Sequence, residues 1–289
     1  MDIKKIFAFA KDEFIYGGHL LYLGATCIVF TAATLLGIKV TWDFLVISYL
    51  IPYTVYAYNK LCEINSDVLT NSNRAKHIAK YAKYLPEILL LSIATILSLL
   101  LEFGKLSSFV LAVIMVLGGI LYTEKFKMLT NKIIGFKSFY VSFSWTLLIL
   151  LLAIYYSYPL NIAFFSVACF FYLRCIVNTA FFDIKDMESD RLSGLKTLSI
   201  VLGRNGILNF IHIVNMLSFV PLIYGVYVGI LPQYTLALVI FVFYTVYYIR
   251  LAKDARTNIQ NLSYVMVDGE YLLWPIVIIL SKGIIYYKC

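Results

Sequence analysis

"LNIAFFSVACFFYLRCIVNTAFFDIKDMESD", residues 160–190, joins a long apolar run to four carboxylates, Asp183, Asp186, Glu188 and Asp190. A membrane-spanning helix needs roughly 20 mainly apolar residues, and the run from 160 to 182 meets that length with Arg174 as its single charge. Working outward, similar runs lie near 18–38, 42–58, 85–103, 106–122, 138–156, 205–229, 232–250 and 264–287. The composition agrees, being 62% hydrophobic and 14% charged, where a soluble domain carries about a quarter of charged residues. These features predict an all-α polytopic membrane protein, a bundle of about nine transmembrane helices forming a single domain over 1–289. The longest polar stretch, 59–83, is too short for a separate soluble domain. Residues 1–17 read as a short interfacial arm rather than a signal peptide, because the apolar run begins late and lacks a small-residue cleavage site.

Basic residues supply an orientation. Apart from Lys39, Lys105, Arg174, Lys282 and Lys288, every Lys and Arg falls in the amino-terminal arm or in the joints after spans 2, 4, 6 and 8. Lys and Arg accumulate on the cytoplasmic side, so the expected topology is N-in, C-out. The net charge of +8 follows from topology and anionic lipid without nucleic acid as a partner. The lack of a transit-like leader points to a prokaryotic plasma membrane. Five cysteines form no C-x-x-C pair; Cys27, Cys169 and Cys175 sit in spans as packing residues, so neither a disulfide nor zinc is indicated.

The acids gather in two segments on that same side. In "YAYNKLCEINSDVLTNSNRAKHI" (residues 56–78), Asn59, Glu63 and Asp67 recur every four residues. On a helix continuing out of span 2 they share a face. Asp183, Asp186 and Asp190 are spaced by three and four and share a face of a helix leaving span 6. Carboxylates stacked in this way repel one another, and two such stripes four spans apart suggest a shared counter-ion. Oxygen ligands without His or Cys favour Mg²⁺ or Ca²⁺ over zinc. Mg²⁺ is usually held by one or two carboxylates with phosphate oxygens completing its octahedron, which points to a phosphorylated or diphosphorylated substrate. Arg74 and His77 after the first stripe, Arg191 and Lys196 after the second, and Lys125 and Lys127 after span 4 are candidate phosphate partners. Arg174 lies nine residues before Asp183, about 13 Å deeper on a straight helix, and shares a face with Asn178. A charge at that depth is a functional candidate: it either orients an acceptor carboxylate or holds its helix to a neighbouring acid. Asp268 and Glu270 near the start of span 9 are either acceptor contacts or boundary residues.

The stretch "DIKDMESDRLSGLKTLSIVLG" (183–203) resembles the second aspartate motif of the UbiA superfamily of intramembrane prenyltransferases, including its trailing Asp-Arg, Gly, Lys-Thr-Leu and Leu-Gly. "NKLCEINSDVLTNSNR" (59–74) is similar to the first motif, Asn-Asp-x-x-Asp-x-x-x-Asp with a downstream Arg. Asn59, Asp67 and Arg74 fit, Glu63 stands in for an Asp, and Lys60 replaces the acid expected after the Asn. "LYTEKFKMLTNKIIGFKSFYVSFSW" (121–145) is similar to the region after span 4. The resemblance implies a magnesium-dependent transferase that moves a prenyl group from an isoprenoid diphosphate donor to a lipophilic or aromatic, membrane-soluble acceptor. It implies catalytic roles for Asn59, Asp67, Asp183, Asp186 and Asp190. Metal would be held by these residues and Glu63. Substrate would be held by Arg74, Lys125, Lys127, Arg174, Asn178, Arg191 and Lys196, with Tyr122, Tyr140 and Trp145 among the aromatics able to face an allylic cation. With Lys60 in place of an acid, the second motif is expected to carry most of the metal binding. Three other readings stay open: a cyclase on the same scaffold, a non-catalytic isoprenoid-binding protein, and a transporter. The last is disfavoured because the acids cluster at the mouth, whereas transporter sites lie near the midplane. The acceptor, the prenyl chain length and the oligomeric state are not written in these residues.

Overall fold

In the computed structural model, which describes residues 3–254 and 256–286, the described backbone is helical and contains no strand. The side chains of 3–6, 8, 65–67, 69, 70 and 286 lie outside the description. The helices are α1 (Ile3–Tyr16), α2 (His19–Leu35), α3 (Trp42–Thr70), α4 (Ser72–Ala79), α5 (Leu85–Phe103), α6 (Leu106–Glu124), α7 (Phe136–Tyr155), α8 (Ile162–Lys185), α9 (Met187–Leu192), α10 (Leu198–Ser218), α11 (Val220–Tyr227), α12 (Ile240–Lys253), α13 (Ile259–Asn261) and α14 (Glu270–Tyr286). Short 3₁₀ turns precede α5, α7 and α12, and a π-helical turn, Leu262–Val267, precedes α14.

Eight helical segments among the described residues are long and apolar enough to cross a membrane. The expected second span is not among them, although α3 runs for 29 residues. Its middle carries Pro52, Tyr53, Tyr56, Tyr58, Asn59 and Lys60, of which Pro52, Tyr56, Asn59 and Lys60 line an interior cavity. Its low hydropathy reflects these tyrosines together with the polar residues turned to the cavity. The expected span at 205–229 divides into α10 and α11, where Pro221, which has no amide N–H to donate, opens α11.

α8 occupies the middle, packed on α7 and α10, while α2 lies between α3 and α14. Lipid is as apolar as Leu, so helices in a membrane are held by close packing and interhelical hydrogen bonds rather than by burial from water. Small residues serve the first need: Ala25, Ala32 and Ala33 on α2 are fully covered. At Gly119 on α6 a Cβ would lie 2.5 Å from the Val55 side chain of α3, so only glycine permits that approach. Polar pairs serve the second, as where Tyr155 on α7 donates to the buried Asp43 carboxylate on α3. On α5 and α6 the large apolar residues Leu90, Leu91, Leu101, Ile114 and Leu117 point outward, as a lipid-facing surface requires.

Candidate active site

A cavity of about 310 Å³ opens between α2, α3, α6, α7 and α8. Its deeper wall is apolar and aromatic, with Ile51, Tyr56, Met115, Val141, Trp145 and Leu148. The rings are fixed by partners: Trp145 Nε1 donates to Tyr56 Oη at 3.1 Å. Tyr140 stacks on Tyr122 with centroids 4.9 Å apart, and Tyr140 Oη donates to the Gly118 carbonyl at 2.9 Å. The Tyr122 hydroxyl is buried with no hydrogen-bond partner among the described residues.

The mouth is charged. α8 ends at Lys185, and Asp186 breaks the helix before α9 begins. The second stripe is therefore divided between two helices, where one continuous helix face was expected. The break turns Asp190 back towards Asp183, and Lys137, near the start of α7, sits among all three. Its Nζ lies 3.2 Å from Asp183 Oδ1, 3.7 Å from Asp186 Oδ2 and 3.0 Å from Asp190 Oδ2. Asp183 is fully buried; Ser138 Oγ donates to its Oδ2 at 2.5 Å, whereas its Oδ1 accepts no hydrogen bond among the described residues. Burial pushes the Asp186 carboxyl up, but Lys185 at 2.8 Å and Lys137 outweigh it and hold the group well below the usual carboxylate range. Asp190 is raised, because burial and the Asp186 charge together exceed the help from Lys137.

The first stripe faces this cluster across the mouth. Asn59 Nδ2 donates to Thr123 Oγ1 at 3.4 Å, and Glu63 forms an ion pair with Lys127. Asp67 falls on α3, but its side chain lies outside the described residues. Lys60 Nζ is directed at the end of α1, donating to the Gly17 carbonyl at 2.5 Å, the Tyr16 carbonyl at 3.3 Å and Tyr22 Oη at 3.1 Å.

Of the predicted site residues, the cavity brings together Asn59, Glu63, Arg74, Tyr122, Lys127, Tyr140, Trp145, Asn178, Asp183, Asp186 and Asp190. Lys125, Arg191 and Lys196 do not line it; their side chains are exposed. Arg174 is also absent from the lining. It is buried between α8, α10, α12 and α14, paired with Glu270, bonded to Asn215, and donating to Thr245 Oγ1 at 2.9 Å. Of its two expected roles, tying its helix to a neighbouring acid is the one seen. Asp268 does face the cavity and accepts from Asn178 Nδ2 at 3.2 Å. Sequence reasoning missed Lys137, Ser138 and Lys185. Lys137 was hidden inside the positive-inside count, and only its place in the segment 121–145 marked it.

The cavity also has a cover. Ile15 and Tyr16, at the end of α1, line it. Glu13 anchors this arm, accepting from His77 Nε2 at 2.6 Å, His19 Nε2 at 2.9 Å and Tyr81 Oη at 3.2 Å. Burial raises the Glu13 carboxyl, but the hydrogen bonds from the two histidines prevail and bring it down to about 2.

An all-helical membrane fold with an aromatic-walled cavity and an acid-rich, lysine-bridged mouth defines the class. Residues 18–267 match the UbiA prenyltransferase family, and the chain belongs to it. Among solved structures, the apo structure of a UbiA homolog from Aeropyrum pernix K1 is similar at a TM-score of 0.73 and 13% identity, covering 92% of this chain and 98% of that one. A UbiA homolog from Archaeoglobus fulgidus bound to DMAPP and Mg²⁺ is similar at 0.69 and 10%, covering 96% and 99%. The Archaeoglobus fulgidus homolog bound to GPP and Mg²⁺ gives 0.66 and 11%, covering 94% and 99%. At these identities the likeness establishes the fold. No curated protein matches the chain.

Proposed function

We propose that the protein transfers a prenyl group from an isoprenoid diphosphate to a lipophilic acceptor within the membrane, with Mg²⁺ at the mouth. The observation that carries this reading is the convergence of Asp183, Asp186 and Asp190 with Lys137, Lys127, Lys185 and Arg74 at the rim of one aromatic cavity. Family membership supports it, as do the bound GPP or DMAPP and Mg²⁺ in the Archaeoglobus homologs.

The donor set fits magnesium. The candidate ligands are hard oxygens, and Asp183 Oδ1, buried and facing only the Lys137 ammonium among the described residues, is one of them. No three His, Cys, Asp or Glu side chains among the described residues form a ready-made metal cage. An Mg²⁺ ion there would draw on one or two of the carboxylates and complete its shell with substrate phosphates and water. The candidates to hold it are Asp183, Asp186 and Asp190 on one side and Asn59 and Glu63 opposite. When bound, the ion acts as a Lewis acid on the diphosphate oxygens.

Lys127, Arg74 and Lys185 would receive the diphosphate charge, and the isoprenoid tail would run along Ile51, Met115, Val141 and Leu148, which line the cavity. Cleavage of the allylic C–O bond sends its electron pair away with the diphosphate. The carbocation is attacked by the acceptor, which then loses a proton. Tyr56, Tyr122, Tyr140 and Trp145 present π-faces to the developing cation, each contributing about 0.5–2 kcal/mol, and the dry wall excludes water as a competing nucleophile. The expected orientation is N-in, with the charged mouth cytoplasmic, because the basic residues collect there.

The test is mass spectrometry of products after incubation of the purified protein with farnesyl or geranylgeranyl diphosphate, Mg²⁺ and a panel of lipophilic aromatic, glycerol-phosphate and sugar-phosphate acceptors. A prenylated acceptor is the expected result. Terpene hydrocarbon formed with no acceptor consumed would overturn the transferase in favour of a cyclase.

A further inference from the structure

The place of Lys137 is built into the chain. Gly135, at φ +71°, turns the backbone into α7, and a Cβ there would lie 2.8 Å from Leu198 Cδ2. Its N–H donates to the Lys196 carbonyl at 3.0 Å, and Lys196 N–H donates to the Thr130 carbonyl at 3.0 Å. The strap that follows Asp190 is thus stitched to the loop that precedes Lys137. Ser138, the next residue, holds Asp183 from the other side. With the backbone fixed, the ammonium ends inside the cluster, where an ion held by these carboxylates would also lie. Its stem is long and flexible, so the charge can move without the helix moving.

We infer that Lys137 is the resident counter-ion of the aspartate cluster, excluding a divalent ion that arrives alone and yielding when a diphosphate arrives with it. A Mg²⁺ ion entering by itself meets a cation already paired with its ligands. A diphosphate brings enough negative charge to accommodate both, and Lys137 turns from the carboxylates to the phosphate oxygens. Metal and diphosphate then bind with positive coupling, which acts equally in both directions because linkage is reciprocal. Lys137 is a positioning residue in this account, and the inference rests on the reading of the cluster as a magnesium site.

The experiment uses the purified full chain in detergent, with Mn²⁺ binding followed by its electron paramagnetic resonance signal and ³²P-labelled inorganic pyrophosphate retained on the protein. The wild type is expected to bind Mn²⁺ weakly alone and to retain pyrophosphate strongly only with Mn²⁺. Lys137→Met should bind Mn²⁺ alone on the order of tenfold more tightly, within the usual range of coupling between linked sites. Its pyrophosphate retention should depend less on metal, and Lys137→Arg should restore the wild-type pattern. Identical Mn²⁺ titrations for wild type and Lys137→Met overturn the inference, leaving the magnesium site standing. Tight Mn²⁺ binding by the wild type alone also overturns it, and that arm needs no variant; Lys137→Gln serves if the Met variant does not fold. A wild type that retains no pyrophosphate at any Mn²⁺ concentration refutes the magnesium site itself, and the inference with it.

Discussion

The two acidic segments look alike as sequence and differ as structure. In the segment 183–190, Asp183 and Asp190 are buried and Asp186 partly so; the three share Lys137, and Asp183 is tied to α7 through Ser138. Around 59–63 the side chains are engaged separately: Asn59 with Thr123, Glu63 with Lys127, and Lys60 with the end of the amino-terminal helix. Acids at helical spacing serve a concentrated charge site in one segment and, in the other, a rim beside the residue that fastens the amino-terminal helix. Periodicity locates a face, but the neighbouring element decides what that face does.

This contrast is most exposed to substitution of the acids. Asp186→Ala or Asp190→Ala should reduce metal-dependent turnover by about 10²-fold or more, the scale for losing a preorganised electrostatic contact in a catalytic site, with the protein still folded. Glu63→Ala should cost about tenfold or less in the same assay, since its ion pair with Lys127 is partly exposed and such pairs are worth roughly 1 kcal/mol or less. An equal loss for Glu63→Ala would erase the asymmetry.

Arg174 tests a second division, between cavity and core. Removing one partner of a buried ion pair costs about 3–5 kcal/mol because the other charge is stranded. Arg174→Met should therefore lower the thermal unfolding temperature markedly, and adding Glu270→Leu should recover much of the loss. A stable single variant with altered acceptor choice would return Arg174 to the substrate site.

The cover of the cavity should respond to acid. Glu13 faces His19 and His77, with Tyr81, Tyr49 and Tyr53 around them, and its folded carboxyl is lowered to about 2 from 4.5. A depressed carboxylate contributes stability that is fully present above its unfolded value and disappears as pH falls towards the folded one. Docking of α1 should thus weaken between pH 4.5 and 2, seen as faster amide exchange of residues 3–16 after correction for intrinsic rates. Glu13→Gln should flatten that change; an unaltered profile would remove Glu13 as the anchor. The smallest effect is expected at Lys60, whose ammonium sits against the Gly17 carbonyl. Lys60→Asp should loosen α1 but leave the Mg²⁺ dependence of turnover unchanged, and a tighter magnesium requirement would place Lys60 at a metal position instead.

Much of this architecture was legible in the residues. The apolar runs mark most helices because lipid imposes length and hydropathy, and residues of both acidic segments line one cavity as their clustering suggested. α3 departs from the pattern because its tyrosines and the polar residues that line the cavity, Asn59, Lys60 and Glu63, lower its hydropathy. The break at Asp186 has no periodic signature, since it depends on α9 folding back against neighbouring elements. Lys137 and the Arg174–Glu270 pair were harder still, because each joins residues dozens of positions apart. Only packing brings such residues together.

The most direct test of the central claim is diphosphate release by the purified protein from farnesyl or geranylgeranyl diphosphate, with and without Mg²⁺, for the wild type and Asp186→Ala. The account predicts release by the wild type that requires Mg²⁺ and is lost in the variant. Release that persists without metal, or that survives Asp186→Ala, would contradict it.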